Sequence, residues 1–338
     1  MLYCKKSYIE LENNFVKRCI EDGGSIHPLL IPAQVTSGTG LMNPSILIDE
    51  GKILVNLRHV NYTFYHSEKK LYQHPWGPLI YIHPEDDLHL RTWNYYCELD
   101  EDLNIAKFAK TNTEAHDKEP LWDFVGLEDA RLVRWDGKLY QTGVRRDTTT
   151  NGQGRMELSE IEIVNNKVKE INRYRIEAPN DPESYCEKNW MPILDRPFQY
   201  VKWTNPTEVV EVYPEEGTSK TISLGEHTPM LGDIRGGSQV IPFGEYYIAC
   251  THEVDLFNDV LGRKDGKYFH RFIVWDENWN IHSYSDKFYF MDGQVEFCVG
   301  MAEYGDFYLL TFGFTDNAAF TLKAPKNTVA NFITNKLR

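Results

Sequence analysis

The sequence predicts an all-β chain, a five-bladed β-propeller preceded by a short N-terminal lead-in segment. Three observations carry the prediction. From about residue 43 onward short β-rich runs alternate with turn signals, and no helical period is sustained. Several pairs of runs flank tight turns. Five such units open on polar loops at residues 43, 128, 188, 236 and 296, about 50 to 85 residues apart, each interval long enough for a four-stranded sheet with its loops.

Residues 1–40 read as the lead-in, with Ile9-Glu-Leu-Glu-Asn-Asn-Phe-Val-Lys-Arg-Cys-Ile predicted as a helix before Gly23-Gly24. Residues 41–338 read as the propeller, the catalytic domain. Hairpins are predicted at Ser45–Asn56, Ala130–Tyr140 and Gly237–Ala249, with Glu50-Gly51, Asp136-Gly137 and Phe243-Gly244 at their bends. The openings are Asn43-Pro44-Ser45, Glu128-Asp129-Ala130, Lys188-Asn189-Trp190, Gly236-Gly237-Ser238 and Glu296-Phe297-Cys298. A propeller places the first strand of each blade beside the central channel, so these openings converge on one face. At the C-terminus, Asn327-Thr-Val-Ala-Asn-Phe-Ile is expected to supply the strand that closes the ring.

A length of 338 residues is compatible with one large all-β domain, and 41% hydrophobic with 25% charged residues describes a globular chain. The formal charge of −14, from 36 Lys and Arg against 50 Asp and Glu, repels a phosphate backbone and argues against nucleic acid as a partner. No apolar run reaches the roughly 18 residues of a membrane span, and the start lacks the apolar stretch of a signal peptide. A cytoplasmic location is expected. Cys4, Cys19, Cys97, Cys186, Cys250 and Cys298 are scattered without a C-x-x-C pair, which predicts reduced thiols and neither a zinc site nor a disulfide framework. No H-E-x-x-H, G-x-S-x-G, Walker or G-x-G-x-x-G element is present, so no metal or cofactor is expected, and serine hydrolases, nucleotide triphosphatases and Rossmann oxidoreductases are disfavoured.

The candidate catalytic residue is Asp129, in Gly126-Leu-Glu-Asp-Ala-Arg131 at the mouth of an apolar strand. Strand alternation would send Asp129 and Arg131 to one face and Glu128 to the other. A carboxylate beside an arginine stays ionised, whereas a general acid needs a raised pKa. By spacing alone, a salt-bridged strand cap fits as well as a catalytic group. Cations recur near the other openings, and Arg58, Arg145, Lys188, Arg235, His252 and Arg271 are the candidate phosphate-binding set, with Arg offering a planar donor fork. Any one of them alone reads as a solvated charge; their convergence would make a pocket. Asn43, Glu128, Arg131 and Trp190 are candidate sugar-binding residues, Trp190 because sugar C–H faces pack on aromatic rings. Most of the 8 Trp, 20 Tyr and 17 Phe are more simply blade core.

The succession Asn43-Pro-Ser, Arg58, Gly126-Leu-Glu-Asp-Ala-Arg131, Lys188-Asn-Trp-x-Pro192, a Gly-Gly opening followed by His252, and Gly313-Phe-Thr-Asp316 resembles glycoside hydrolase family 130 over about residues 43–322. The resemblance implies a five-bladed propeller related to inverting β-mannoside phosphorylases and mannosyltransferases. It implies Asp129 as the proton-transferring acid, Arg131 as its brace, Arg58, Lys188 and His252 as phosphate ligands, and Asp316 as a sugar-binding carboxylate. Ala130 stands where the family usually has proline. Arg235-Gly-Gly-Ser, His270-Arg271 and Glu296-Phe-Cys-Val-Gly look like a divergent branch associated with glycosyltransferases.

The expected function is therefore glycosyl transfer, mannosyl-like and with inversion, between a phosphate-linked donor and a sugar acceptor. The partners would be a sugar or glycan together with inorganic phosphate, a sugar phosphate or a sugar nucleotide. In phosphorolysis Asp129 would protonate the glycosidic oxygen while phosphate attacks the anomeric carbon; in synthesis it would deprotonate an acceptor hydroxyl. Inverting hydrolysis is the alternative and needs a second carboxylate, for which Glu128, Glu226, Glu253 and Glu296 are candidates. A glycan-binding propeller without catalysis is the third reading.

Overall fold

The computed structural model describes residues 15–66, 79–180, 183–258 and 264–337. The strands are arranged as five antiparallel blades around a common axis, and the outer strands of the first two blades meet in a short parallel pairing of Val168 with Thr111 and Lys169 with Asn112. In the first blade Leu41–Asp49 lies innermost, followed outward by Lys52–Val60, Leu90–Leu99 and Ile105–Asn112; in the second the order is Glu128–Trp135, Lys138–Arg145, Arg155–Val164 and Lys167–Ile176. The third runs Met191–Pro192, Gln199–Thr204, Thr207–Tyr213, Thr218–Leu224, and the fourth Ile241–Phe243, Tyr246–Asn258, Lys264–Trp275, Ile281–Tyr284. The fifth runs Glu296–Tyr304, Phe307–Phe314, Ala318–Pro325. All five sequence-predicted openings lie at or just before the innermost strand of a blade.

Turn chemistry sets the hairpins. Glu50-Gly51 and Asp136-Gly137 each have positive φ at both central positions and join directly paired residues, Asp49 to Lys52 and Trp135 to Lys138. Such turns match the right-handed strand twist. In the fourth blade Phe243 pairs with Tyr246, so the bend is Gly244-Glu245, one residue later than the sequence suggests.

The blades are apolar on both faces, and each pair of neighbours encloses its own core. Alternation decides which core a side chain joins: Ile46 packs toward the fifth blade with Leu309, and Leu47 toward the second with Leu132 and Leu139. Likewise Val133 and Trp135 meet Trp190, Tyr200 and Val210 of the third blade, while Val201 and Val209 meet Ala249, Ile273 and Trp275 of the fourth. The fourth and fifth share Cys250, Phe272, Met301, Leu310 and Phe312. Five inter-blade cores for five blades make a closed ring.

Closure differs from the expectation. Residues 326–332 form a helix, Lys326–Phe332. The outermost strand of the last blade is N-terminal instead: Ser25–Pro28 pairs antiparallel with Ala318–Pro325. A C-terminal pair, Asn335–Lys336, adds to the outer edge of the fourth blade. The predicted N-terminal helix is found over Phe15–Glu21; its start at Ile9 and Cys4 lie outside the described residues. Phe15 is fully buried against Phe272, Phe288 and Phe332, so part of the lead-in is built into the ring.

Candidate active site

The segment Gly126–Arg131 is held at nearly every backbone group. Gly126 has φ +105, and a Cβ there would run into the Thr92 carbonyl oxygen, so only glycine fits. Its N–H donates to Asp147 (2.9 Å), which Arg145 holds from below (3.3 Å). Behind the segment lies a run of buried amides. Gln141 donates to Asn56 Oδ1 (2.7 Å), Asn56 to Asn94 (2.8 Å) and the Ala130 carbonyl (3.1 Å), and Asn94 to the Leu127 carbonyl (2.9 Å). Arg131 is fully buried and donates to the Asp129 carbonyl (2.7 Å) and twice to Gly237 (2.7 and 3.1 Å).

These contacts hold Asp129 at φ +50, a left-handed conformation that Asp tolerates. The expected alternation consequently fails. Glu128 and Asp129 both turn toward Arg58, at 3.5 and 2.7 Å, while Arg131 bonds only to carbonyls. The strand pairing shifts register opposite, between Thr142 and Val144, and a Cβ on the intervening Gly143 would strike the Glu128 carbonyl.

Arg58 is 5% exposed and donates to Asp129 (2.7 Å), Tyr62 (3.1 Å) and Thr92 (3.1 and 3.2 Å). Asn43 adds a bond to the same Asp129 oxygen (2.8 Å). Burial alone would push the Asp129 carboxyl up. Arg58, Arg131, the Asn43 amide and Lys188 outweigh it and hold the group below the usual carboxylate range. Burial, only partly offset by Arg58 and reinforced by Asp129, raises Glu128. Asp316 sits at φ +49 in the turn between Phe307–Phe314 and Ala318–Pro325. Burial and the Asp129 charge push it up to about 6, against the pull of Arg58 and Lys188.

Lys188 is exposed and makes no hydrogen bond or ion pair among the described residues, while its charge acts on Asp129, Glu128, Asp316 and His252. His252 is buried and its Nδ1–H donates to the Gly236 carbonyl (2.6 Å). Burial lowers its pKa to about 3, with Arg235, Lys188 and Arg131 reinforcing it against that bond. It is neutral, with Nε2 as acceptor, and offers phosphate no charge.

Three other sequence candidates lie elsewhere. Arg145 is locked between Glu157 (2.6 Å) and Asp147, bracing the Gly126 turn from beneath. Arg271 pairs with Glu253 and donates to Ser285 (2.8 Å) on the opposite face of its strand from His270. Trp190 is 1% exposed, packed edge-on against Tyr200, and presents no face to a sugar. Arg235 is at the rim, held loosely by Asp233 (3.3 Å). Of the candidate second carboxylates, Glu296 accepts three backbone N–H bonds from Phe290, Met291 and Gly293, Glu253 is neutralised by Arg271 and Lys287, and Glu226 is solvent-exposed. One contributor escaped the sequence reading. Tyr268 stacks on His252 (5.6 Å), and its hydroxyl is raised by burial and by Asp316; its place two residues before His270 on one strand was the available signal. Arg146, which the sequence pairs with Arg145 among the recurring cations, acts on Glu128. Among the described residues no group of three His, Cys, Asp or Glu side chains is arranged to hold a metal ion, and no helix is long and apolar enough to cross a membrane.

No protein-family model and no curated protein sequence matches the chain. Solved structures do. The β-1,2-mannobiose phosphorylase from Listeria innocua aligns over 91% of this chain and 96% of its own at 14% identity, TM-score 0.53. A GDP-Man-dependent mannosyltransferase from Leishmania mexicana aligns over 93% and 94% at 12%, TM-score 0.54. A structure described under a family of mannoside phosphorylases containing glycoside hydrolases that target β-1,2 mannosidic linkages in Candida mannan aligns over 89% and 87% at 13%, TM-score 0.57. At this level of identity the likeness is one of fold, and the chain has the five-bladed β-propeller fold seen in structures of glycoside hydrolase family 130.

Proposed function

We propose that this chain is a carbohydrate-active enzyme that transfers a glycosyl group, mannosyl-like, between a phosphate-linked donor and a sugar hydroxyl with inversion. The observation that carries the proposal is the Asp129 carboxylate, kept ionised by Arg58 and Asn43 and lying in the field of Lys188, a cation with no ion-pair partner among the described residues. The activities printed for structures of the same fold, a mannobiose phosphorylase and a GDP-Man-dependent mannosyltransferase, support the substrate class.

An ionised carboxylate is in the protonation state that can accept a proton, which is the role the synthetic direction gives Asp129. Asp129 takes the proton of the acceptor hydroxyl as that oxygen attacks the anomeric carbon. The bond from that carbon to the donor phosphate oxygen breaks, and its electron pair leaves with the phosphate. Lys188 and Arg235 meet the developing charge. Phosphorolysis is the same path reversed, with Asp129 returning the proton.

Inverting hydrolysis is the second reading, favoured by one observation. Asp316, with a pKa near 6 in the field of Asp129, is a carboxyl that can still carry a proton when Asp129 cannot. The test is to offer the purified protein mannose 1-phosphate, GDP-mannose and other sugar nucleotides with a panel of sugar acceptors, and to follow released phosphate or nucleotide. Asp129→Asn should lower the rate by about a hundredfold or more with the fold intact. Full activity in that variant would overturn the role of Asp129. Cleavage of β-mannosides at one rate with and without phosphate would establish hydrolysis instead.

A further inference from the structure

We infer that the donor's phosphate belongs to a nucleotide, and that Tyr185 and Arg146 form its recognition site beside the Asp129 cluster. The inference rests on the transfer reading above and deepens it by naming the donor class.

Arg146 lies between two rings, 5.7 Å from the Phe124 centroid and 5.4 Å from that of Tyr185. Its Nε donates to the Gly152 carbonyl (3.0 Å) and Nη2 to the Tyr185 hydroxyl (2.8 Å). No carboxylate pairs with it within ion-pair distance among the described residues, yet its charge reaches Glu128. The guanidinium is thus oriented by a carbonyl, a phenol and two aromatic faces, and its charge is not cancelled locally. Lys188, three residues after Tyr185 on the same loop, is a second cation without an acidic partner among the described residues, and it acts on both Glu128 and Asp129. On a chain of net charge −14, two uncancelled cations converging on one carboxylate cluster mark a place for a polyanion.

Tyr185 supplies what a plain phosphate would not use. One face of its ring is turned to Arg146, and the side chain is 53% exposed, leaving an aromatic surface open next to the cations. A sugar 1-phosphate needs only the charges. A nucleoside diphosphate brings an aromatic base as well, and base stacking on an exposed ring is tolerant of base identity because every base has a π-face. The cations would hold the diphosphate, and Tyr185 the base.

The experiment is calorimetric titration of the full chain with GDP, UDP and pyrophosphate. Both nucleotides should bind about tenfold or more tightly than pyrophosphate, the difference that stacking on one ring supplies. Tyr185→Ala should erase that advantage, with any loss of pyrophosphate binding from the freed Arg146 shared equally by the nucleotides, and Tyr185→Phe should retain the advantage. Arg146→Gln should weaken all three ligands. Equal affinity for pyrophosphate and nucleotides in the unaltered protein, or an advantage that survives Tyr185→Ala, would overturn the inference. Asp129→Asn keeps the two proposals apart. If it binds nucleotides normally while the unaltered protein transfers nothing from any donor, the nucleotide site stands and the transfer reading falls. Transfer from mannose 1-phosphate without a nucleotide advantage has the opposite meaning.

Discussion

Asp129 and Asp316 share Arg58 and Lys188 as cationic neighbours and are shifted in opposite directions. Asp129 accepts directly from Arg58 and Asn43, and charge-assisted bonds of that kind stabilise the anion. Asp316 feels Arg58 and Lys188 only through space and faces Asp129 as well, so burial dominates and its pKa rises to about 6. A raised carboxyl pKa means that the folded state binds a proton more tightly than the unfolded chain does. The resulting stabilisation is complete below pH 4 and is lost as pH rises to about 6. Asp316→Asn should therefore raise the unfolding free energy at pH 8 by about 2–3 kcal/mol and change it little at pH 3.5. Urea denaturation at the two pH values measures this. Equal effects at both would show that Asp316 titrates as an ordinary surface carboxyl.

The elements that matter most to the site are the first strands of the blades, whose openings leave ideal geometry. Asn43, Asp129 and Asn189 all have positive φ, and register shifts occur at Met42/Ser45, between Thr142 and Val144, and at Cys298/Gly300. Bulges of this kind re-aim side chains, and here they bring polar residues onto the channel mouth. Gly143→Ala should cost about 1–3 kcal/mol in stability and lower activity further than stability explains, because the added methyl presses on the Glu128 carbonyl and tilts Asp129. Circular dichroism with a rate measured well below the melting temperature separates the two effects. Much of this level was legible in the sequence. Glu50-Gly51 and Asp136-Gly137 announce their turns through local backbone preference, and the polar openings through composition. The inversion at Asp129 was hidden because it depends on Arg131, Asn56 and Asn94, contacts that no local pattern encodes. Arg145 and Arg271 were misplaced for a related reason: their neutralising partners, Glu157 and Glu253, lie on paired strands 12 and 18 residues away, so a count of cations could not reveal which were already satisfied. The closing strand Ser25-Ile-His-Pro28 is short and ends in proline, and it becomes a strand only because the exposed edge at Ala318–Pro325 needs a partner.

At the scale of the whole molecule, the ring is joined twice, by the N-terminal strand at its perimeter and by Gln239 near its axis. Gln239 is fully buried at the opening of the fourth blade. Its Nε2 donates to Ile46 of the first blade (2.7 Å) and Leu132 of the second (3.1 Å), and its Oε1 accepts from Met301 of the fifth (3.2 Å). One amide thus satisfies backbone groups of three blades from a fourth. Arg131 follows the same logic, tying the second blade to Gly237 beside it. The rigidity of Asp129 therefore depends on how the first, second, fourth and fifth blades meet at the axis. Gln239→Leu keeps the volume and strands two carbonyls and one N–H without partners, each costing about 1–3 kcal/mol when left unmet and unhydrated. A net loss of about 3 kcal/mol is expected, seen as a lower urea midpoint with unchanged slope. Because the lost bonds lie at the shared axis, amide exchange should quicken in the innermost strands of the first, second and fifth blades together. Exchange that quickens only around residues 239–243 would show instead that the blades open independently, and that Asp129 owes its position to the second blade alone.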